Sequence, residues 1–176
     1  VLRPADANET AEAWKFAVKS NKGPTLLALT RQSLPTLDRS VFGPADLLHR
    51  GAYILKDVDN TPDALILASG SEVKLALEAA ETLAADGIAA RVISMPSWEL
   101  FDSQSQEYKD QVLPENITAR VAIEAGATQG WHKYVGMNGK VIGLDHFGAS
   151  APIDELFTNF GITAESVVKA VQSLIN

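Results

Sequence analysis

The segment from residue 64 to residue 95 constrains the fold most. Ala64-Leu65-Ile66-Leu67-Ala68 is an unbroken apolar run that closes on Ser69. A run with no polar alternation is expected of a strand buried on both faces. Residues 71–86 then place Val73, Ala76, Leu77, Ala80, Leu83 and Ala84 on one helical face, and Gly87 ends that helix. A second apolar strand follows at residues 90–95 and stops at Pro96. Strand, helix and strand in this order make a crossover between parallel neighbours. The chain is therefore expected to hold an α/β sheet covered on both sides.

The remaining segments fit around this unit. Apolar strands are expected at residues 52–56, 120–125 and 141–145. Helices are expected at residues 103–113, ended by Pro114, at 153–159, and at 164–175 with Thr163 as cap. The last helix turns Val167, Val168, Val171, Leu174 and Ile175 inward, and residues 130–135 make a helical turn. The fold class is α/β: an open, mostly parallel five-stranded sheet with helices on both faces, residues 52–56 being the antiparallel member. A smaller block precedes it. A helix at residues 10–20, capped by Asp6 or Asn8, aligns Ala13, Trp14, Ala17 and Val18, and Asn21-Lys22-Gly23-Pro24 ends it. Residues 25–30 (Thr-Leu-Leu-Ala-Leu-Thr) then read as a strand buried on both faces. One helix and one strand cannot bury a core, so this remnant must dock on something else. Pro35, Gly43 and Pro44 break the periodicity between the blocks, with a helical turn at residues 45–48.

Composition excludes several functions. Among the 176 residues, 22 are acidic and 15 basic, a net charge of −7 that disfavours nucleic-acid and anionic-membrane surfaces. No stretch approaches the ~20 apolar residues of a membrane helix. With no Cys, the chain has no disulfide, thiolate metal site or Cys nucleophile, and the cytoplasm is its expected compartment. Val1-Leu2-Arg3-Pro4 has no basic or apolar leader region, and the start in mid-pattern is expected of a piece of a longer chain.

The candidates for chemistry are few. No G-x-S-x-G elbow surrounds Ser71, which reads as a helix cap, and Ser69 to Glu72 fits a capping box. A phosphate cradle at this turn is the lesser alternative, since one Gly stands where a nucleotide fingerprint needs three. Ser69, Ser94, Glu124 and Asp145 lie at or near strand C-termini, where open α/β sheets bind ligands; His132 and His146 stand nearby in sequence. Their spacing matches no metal motif, and structural hydrogen bonding is the preferred reading. His49 reads as a surface residue, Trp14 as part of the helix face, and Trp98 and Trp131 as cover for domain edges or a subunit contact. Arg31 ends the 25–30 strand and is followed by Gln32 and Ser33. Such a donor set suits a phosphate or carboxylate, with an ordinary salt bridge the equal alternative.

Motifs along almost the whole chain resemble transketolases. They include Arg3-Pro4-Ala5-Asp6-Ala7-Asn8-Glu9, Leu29-Thr30-Arg31-Gln32-Ser33-Leu34-Pro35, Ser94-Met95-Pro96-Ser97-Trp98-Glu99-Leu100-Phe101, Gly130-Trp131-His132-Lys133-Tyr134-Val135-Gly136 and Asp145-His146-Phe147-Gly148-Ala149-Ser150-Ala151-Pro152. Ile66 to Val73 is shared with other thiamine-diphosphate enzymes, and His146 departs from the Arg usual in the family. The resemblance implies that residues 1–38 are the tail of a pyrimidine-binding domain, 39–50 a linker, and 51–176 a transketolase C-terminal domain. It implies a full-length homodimeric enzyme that uses thiamine diphosphate and a divalent cation (Mg or Ca) to move a two-carbon ketol unit between sugar phosphates. No catalytic, cofactor-binding or metal residue is expected within this chain, which alone should be inactive and bind no cofactor. Only Arg31 matches a substrate residue, the one holding the sugar phosphate. Residues 51–176 are expected to be structural and dimer-supporting, or alternatively a regulatory module binding a small molecule at Ser69, Ser94, Glu124 and His132.

Overall fold

The computed structural model describes every residue except Lys22 and Asn176. Five strands form one sheet: β1 (Tyr53–Lys56), β2 (Ala64–Ala68), β3 (Ala90–Ser94), β4 (Arg120–Ile123) and β5 (Lys140–Ile142), in the order β1-β3-β2-β4-β5. Only β1 runs antiparallel, pairing Tyr53 with Ser94. The parallel register sets Ala68 beside Ser94 and Ile123, so the C-terminal ends of β2, β3 and β4 finish level with one another. The fold class read from the sequence is the one observed.

The sheet is buried on both faces, as the apolar runs require. Ala64, Ile66 and Ala68 join a core with helices α2 (Val73–Ala85) and α7 (Ala164–Ile175). Leu65 and Leu67 point the other way, toward Phe101, Val112, Trp131 and Tyr134. These last four residues come from α3 (Trp98–Asp102), α4 (Gln106–Val112) and the border of α5 (His132–Val135). Gly87, at φ +80°, follows α2 as the helix-stop reading requires. Helix α6 (Ile153–Phe160) precedes α7, and Thr163 Oγ1 accepts from Ser166 N at 3.1 Å to cap α7.

Several boundaries differ for identifiable reasons. The helix expected at residues 103–113 is α4, starting three residues later because Ser105 leaves the helical region and caps it, and a separate short helix that the sequence reading missed, α3, precedes it with Ser97 as its cap. Helix α2 starts after a tight turn at Gly70–Glu72; neither Ser69 nor Ser71 caps it, because each hydroxyl donates to a carboxylate instead. Within α2, Ala79 is buried and Ala84 exposed; at the end of α7, Ile175 is 37% exposed.

The first block corrects two expectations. Helix α1 (Ala7–Lys19) is capped by Asp6, but it buries Glu9 and Ala13 while Trp14 and Val18 face outward at 57% and 82% exposure. Residues 25–30 are not a strand buried on both faces. Only Leu27 bridges, to Leu2, and Leu26 and Leu29 are more than half exposed. Burial on both faces needs flanking strands, and among the described residues the backbone of the segment pairs only with Leu2. Lys22, part of the stop signal after α1, lies outside the described residues. The segment between the blocks is tied down rather than free: Leu48 is fully buried, and Arg39 donates to Gly43 O, to Tyr53 Oη and to Asp6 Oδ1.

Candidate functional site

The level C-terminal ends of β2, β3 and β4 open into a crevice of about 210 Å³, lined among others by Arg3, Ser69, Met95, Trp98 and Glu124. Glu124 follows β4 and is only 8% exposed. Its Oε1 accepts from Ser69 Oγ at 2.7 Å and its Oε2 from Trp131 Nε1 at 2.9 Å. Arg3 Nε lies 2.9 Å from the same Oε1, an ion-pair contact without the angle of a hydrogen bond. Glu72, fully buried, accepts from Ser71 Oγ at 2.7 Å and from Ala125 N at 3.0 Å, and Arg3 Nη2 stands 3.6 Å from its Oε2. Burial pushes the Glu72 carboxyl above its ordinary range; the Ala125 and Ser71 hydrogen bonds and the Arg3 charge oppose that rise. The chain's own guanidinium thus occupies the place where open α/β sheets take ligands.

A third buried carboxylate, from α1, meets the end of β3. Glu9 Oε1 accepts from Tyr53 Oη and from Ser94 Oγ, both at 2.6 Å, and its Oε2 accepts from Ala5 N at 2.7 Å. Desolvation raises its pKa, the Ser94, Tyr53 and Ala5 hydrogen bonds oppose this, and the neighbouring Asp6 charge adds to it. Tyr53 is pushed up as well, by burial and by the Glu9 charge. Helix α1, β1 and β3 therefore meet on one side chain from the first block.

The candidate residues read from the sequence separate accordingly. Ser69 and Glu124 meet in the crevice, but Ser94 turns to Glu9. His132 is exposed, its Nδ1 3.4 Å from Gly136 O. Asp145 accepts from the backbone N and the hydroxyl of Thr128, which hold its carboxyl below the usual range, away from the crevice. His146 packs against Phe160 with ring centroids 5.0 Å apart. His49 is not a plain surface residue: it sits between Phe16 and the Glu12 carbonyl. Trp131 covers no edge; it is wholly buried, stacked edge-on against Trp98 at 5.1 Å while its indole N–H serves Glu124. A small-molecule site at Ser69, Ser94, Glu124 and His132 finds no support, because these groups satisfy one another or point elsewhere.

Arg31, Gln32 and Ser33 are exposed in the bend after the Leu27 bridge, and among the described residues Arg31 makes no ion pair. Gln32 N donates to Thr30 Oγ1 at 3.1 Å, so a local turn shapes the bend. Reading the sequence missed Arg3, Glu9 and Glu72 as site residues. Glu9 carried one signal, its position four residues before the buried Ala13 on the same helix face. Arg3 carried none locally.

Among the described residues no group of three or more His, Cys, Asp or Glu side chains is arranged to hold a metal ion, and no helix is long and apolar enough to cross a membrane. Comparison with known proteins places the arrangement. Residues 51–163 match the family model described as the transketolase-like TK C-terminal domain. A transketolase from Halalkalibacterium halodurans is 50% identical over 175 residues, covering 99% of this chain and 26% of that protein. A solved transketolase from Leishmania mexicana superposes with a TM-score of 0.91 at 40% identity, over 99% of this chain and 25% of that one. A solved chain described as a split gene transketolase, inactive beta4 tetramer, is 29% identical with a TM-score of 0.80 and matches over 57% of its length. The chain spans about a quarter of the curated relatives it matches. Its residues, its sheet order and its family match agree, and the chain belongs to the transketolase family, as the part that carries the C-terminal domain.

Proposed function

We propose that this chain is the C-terminal part of an enzyme that transfers a two-carbon ketol unit from a ketose phosphate to an aldose phosphate. The observation that carries this reading is 50% identity over 99% of the chain to a transketolase. Residues 1–38 belong to the pyrimidine-binding domain, 39–50 to the connection and 51–176 to the C-terminal domain. The whole enzyme works as a homodimer in the cytoplasm with thiamine diphosphate and a divalent cation, which supply the carbanion chemistry when bound. In this reading the residues that hold the cofactor and the cation belong to the rest of the enzyme, and the chain alone is inactive. The solved split-gene chain described as an inactive tetramer supports that division of labour.

One residue here has a direct role in this reading. Arg31 holds the substrate phosphate: its bend is exposed, anchored by the Leu2–Leu27 bridge, and flanked by the Gln32 and Ser33 donors. A guanidinium pairs with phosphate through a two-bond fork that Lys cannot reproduce. A hydrogen bond to a charged group is worth about 1.5–3 kcal/mol, so Arg31→Ala in the full-length enzyme should raise KM for phosphorylated sugars about 10- to 150-fold. Unphosphorylated acceptors should be nearly unaffected. Equal loss of kcat on both kinds of acceptor would make Arg31 a structural residue and refute the assignment.

A further inference from the structure

The acidic crevice raises a question that the transfer reaction does not answer: what two buried carboxylates are for at the C-terminal ends of the interior strands β2 and β4. Glu72 is fully buried and Glu124 nearly so, and like charges at close quarters destabilise one another unless a cation joins them. The joining cation is Arg3, with Nε 2.9 Å from Glu124 and Nη2 3.6 Å from Glu72. The site around it is assembled from distant parts of the chain. Ser69 and Trp131 hold the two oxygens of Glu124, while Ser71 and Ala125 hold those of Glu72. The backbone of Arg3 is clamped as well, donating from N to Pro96 O at 2.8 Å and accepting at O from Gly70 N at 3.0 Å.

We infer that the two buried carboxylates at the C-terminal ends of β2 and β4 form a guanidinium-binding site, taken up in cis by Arg3 on the wall of the crevice, and that this occupancy adds to the contacts that hold residues 1–38 on the sheet. Among the described residues, only the side chain of Arg3 links the first block to these two carboxylates. Its neighbour Leu2 in turn holds the next segment: Leu2 N donates to Leu26 O and Ala28 N donates to Leu2 O, each at 2.8 Å. Release of the guanidinium removes the side-chain part of the clamp beside Leu2, leaving the backbone bonds of Arg3, and so loosens the anchor of the bend at Arg31. The partner chemistry is specific. A guanidinium spreads its charge over a plane, here with Nε beside Glu124 and Nη2 beside Glu72, whereas an ammonium is a point charge.

The test empties the site and refills it. Arg3→Ala in this 176-residue chain is titrated with N-ethylguanidinium at matched ionic strength, with ethylammonium as the control cation. At a tenfold excess over Kd the variant should gain about 3–6 °C in Tm, saturably, while the unaltered chain gains nothing. The added mutation Glu124→Gln should abolish that gain. Hydrogen exchange at the Ala28 amide should be at least tenfold faster in Arg3→Ala and slow again with the cation, with the β2 amides unchanged. Equal stabilisation by ethylammonium, equal stabilisation of the unaltered chain, or uniform acceleration across the sheet would each overturn the inference. Should Arg3→Ala fail to fold, Arg3→Met refills the apolar volume and enters a double-mutant cycle with Glu124→Gln. Coupling of tenfold or more in the unfolding constant supports the site, and additivity refutes it.

Discussion

Replacing Glu9 by Ala removes the one acceptor shared by helix α1, strand β1 and strand β3. Three donors lose their partner: Ala5 N, Tyr53 Oη and Ser94 Oγ, at 2.7, 2.6 and 2.6 Å. Each buried donor left unsatisfied costs about 1–3 kcal/mol. The three do not simply add, because the vacated polar volume admits water and the Tyr53 oxygen still accepts from Arg39 at 2.9 Å. A net loss of about 3–5 kcal/mol follows, comparable to breaking a buried charged network. For a chain of this size that is a fall in Tm of about 6–20 °C. Glu9→Gln separates shape from charge. Its carbonyl can still accept from Tyr53 and Ser94, but its amide then faces the Ala5 N–H, donor against donor, so its cost should be about 1–3 kcal/mol. The pH dependence adds a signed check. Burial raises the Glu9 carboxyl above its ordinary 4.5, so from there up to the raised value the folded state holds a proton that the unfolded state has released. Stability should therefore decline as pH rises through that window and level off above it. Glu72 contributes in the same sense, so the Glu9 part is the difference in slope between the unaltered chain and Glu9→Gln. Urea unfolding across that range measures both quantities. A Glu9→Ala variant within 1 kcal/mol of the parent would refute the argument, as would an unchanged pH slope in Glu9→Gln.

Two further substitutions probe the packing beneath the crevice. Gly51, at φ +86°, has no room for a Cβ, which would fall on the backbone of Ser97, Leu100 and Phe101. Gly51→Ala should cost about 2–4 kcal/mol by calorimetry, and a neutral result would mean that the 97–101 turn moves aside freely. Trp131→Phe keeps an aromatic ring against Trp98 but removes the donor to Glu124 Oε2. It should cost about 1–3 kcal/mol in urea unfolding, and the loss should shrink in a Glu124→Gln background, where the unpaired group no longer bears a charge.

Reading the sequence succeeds where physics is local. The continuous apolar runs at β2 and β3 and the helical stripe of α2 specify a sheet covered on both sides, because side-chain period and burial are set within a few residues. The Gly87 stop and the Thr163 cap follow for the same reason. Arg31 stands out because a donor-rich bend follows directly on an apolar run. The errors have the opposite origin. Residues 25–30 look like a buried strand, but burial depends on neighbours that lie elsewhere, and here only Leu2 pairs with them. Trp14 and Trp131 are both Trp beside apolar residues; one is more than half exposed and the other fully buried. What separates them is the β4 carboxylate that the Trp131 indole meets. The crevice was least visible of all. Its pairs join Ser69 with Glu124 and Arg3 with both Glu72 and Glu124, and the Ser94–Glu9 pair beside it was as hidden, the Ser69 and Ser94 pairs spanning 55 and 85 residues. The amino-acid sequence by itself determined the five strands, their chain order and the mostly parallel sheet they form. Only the tertiary structure decided that the carboxylates at the strand ends pair with the chain's own Arg3, because a buried charge takes its partner from whichever residue the closed fold brings within reach.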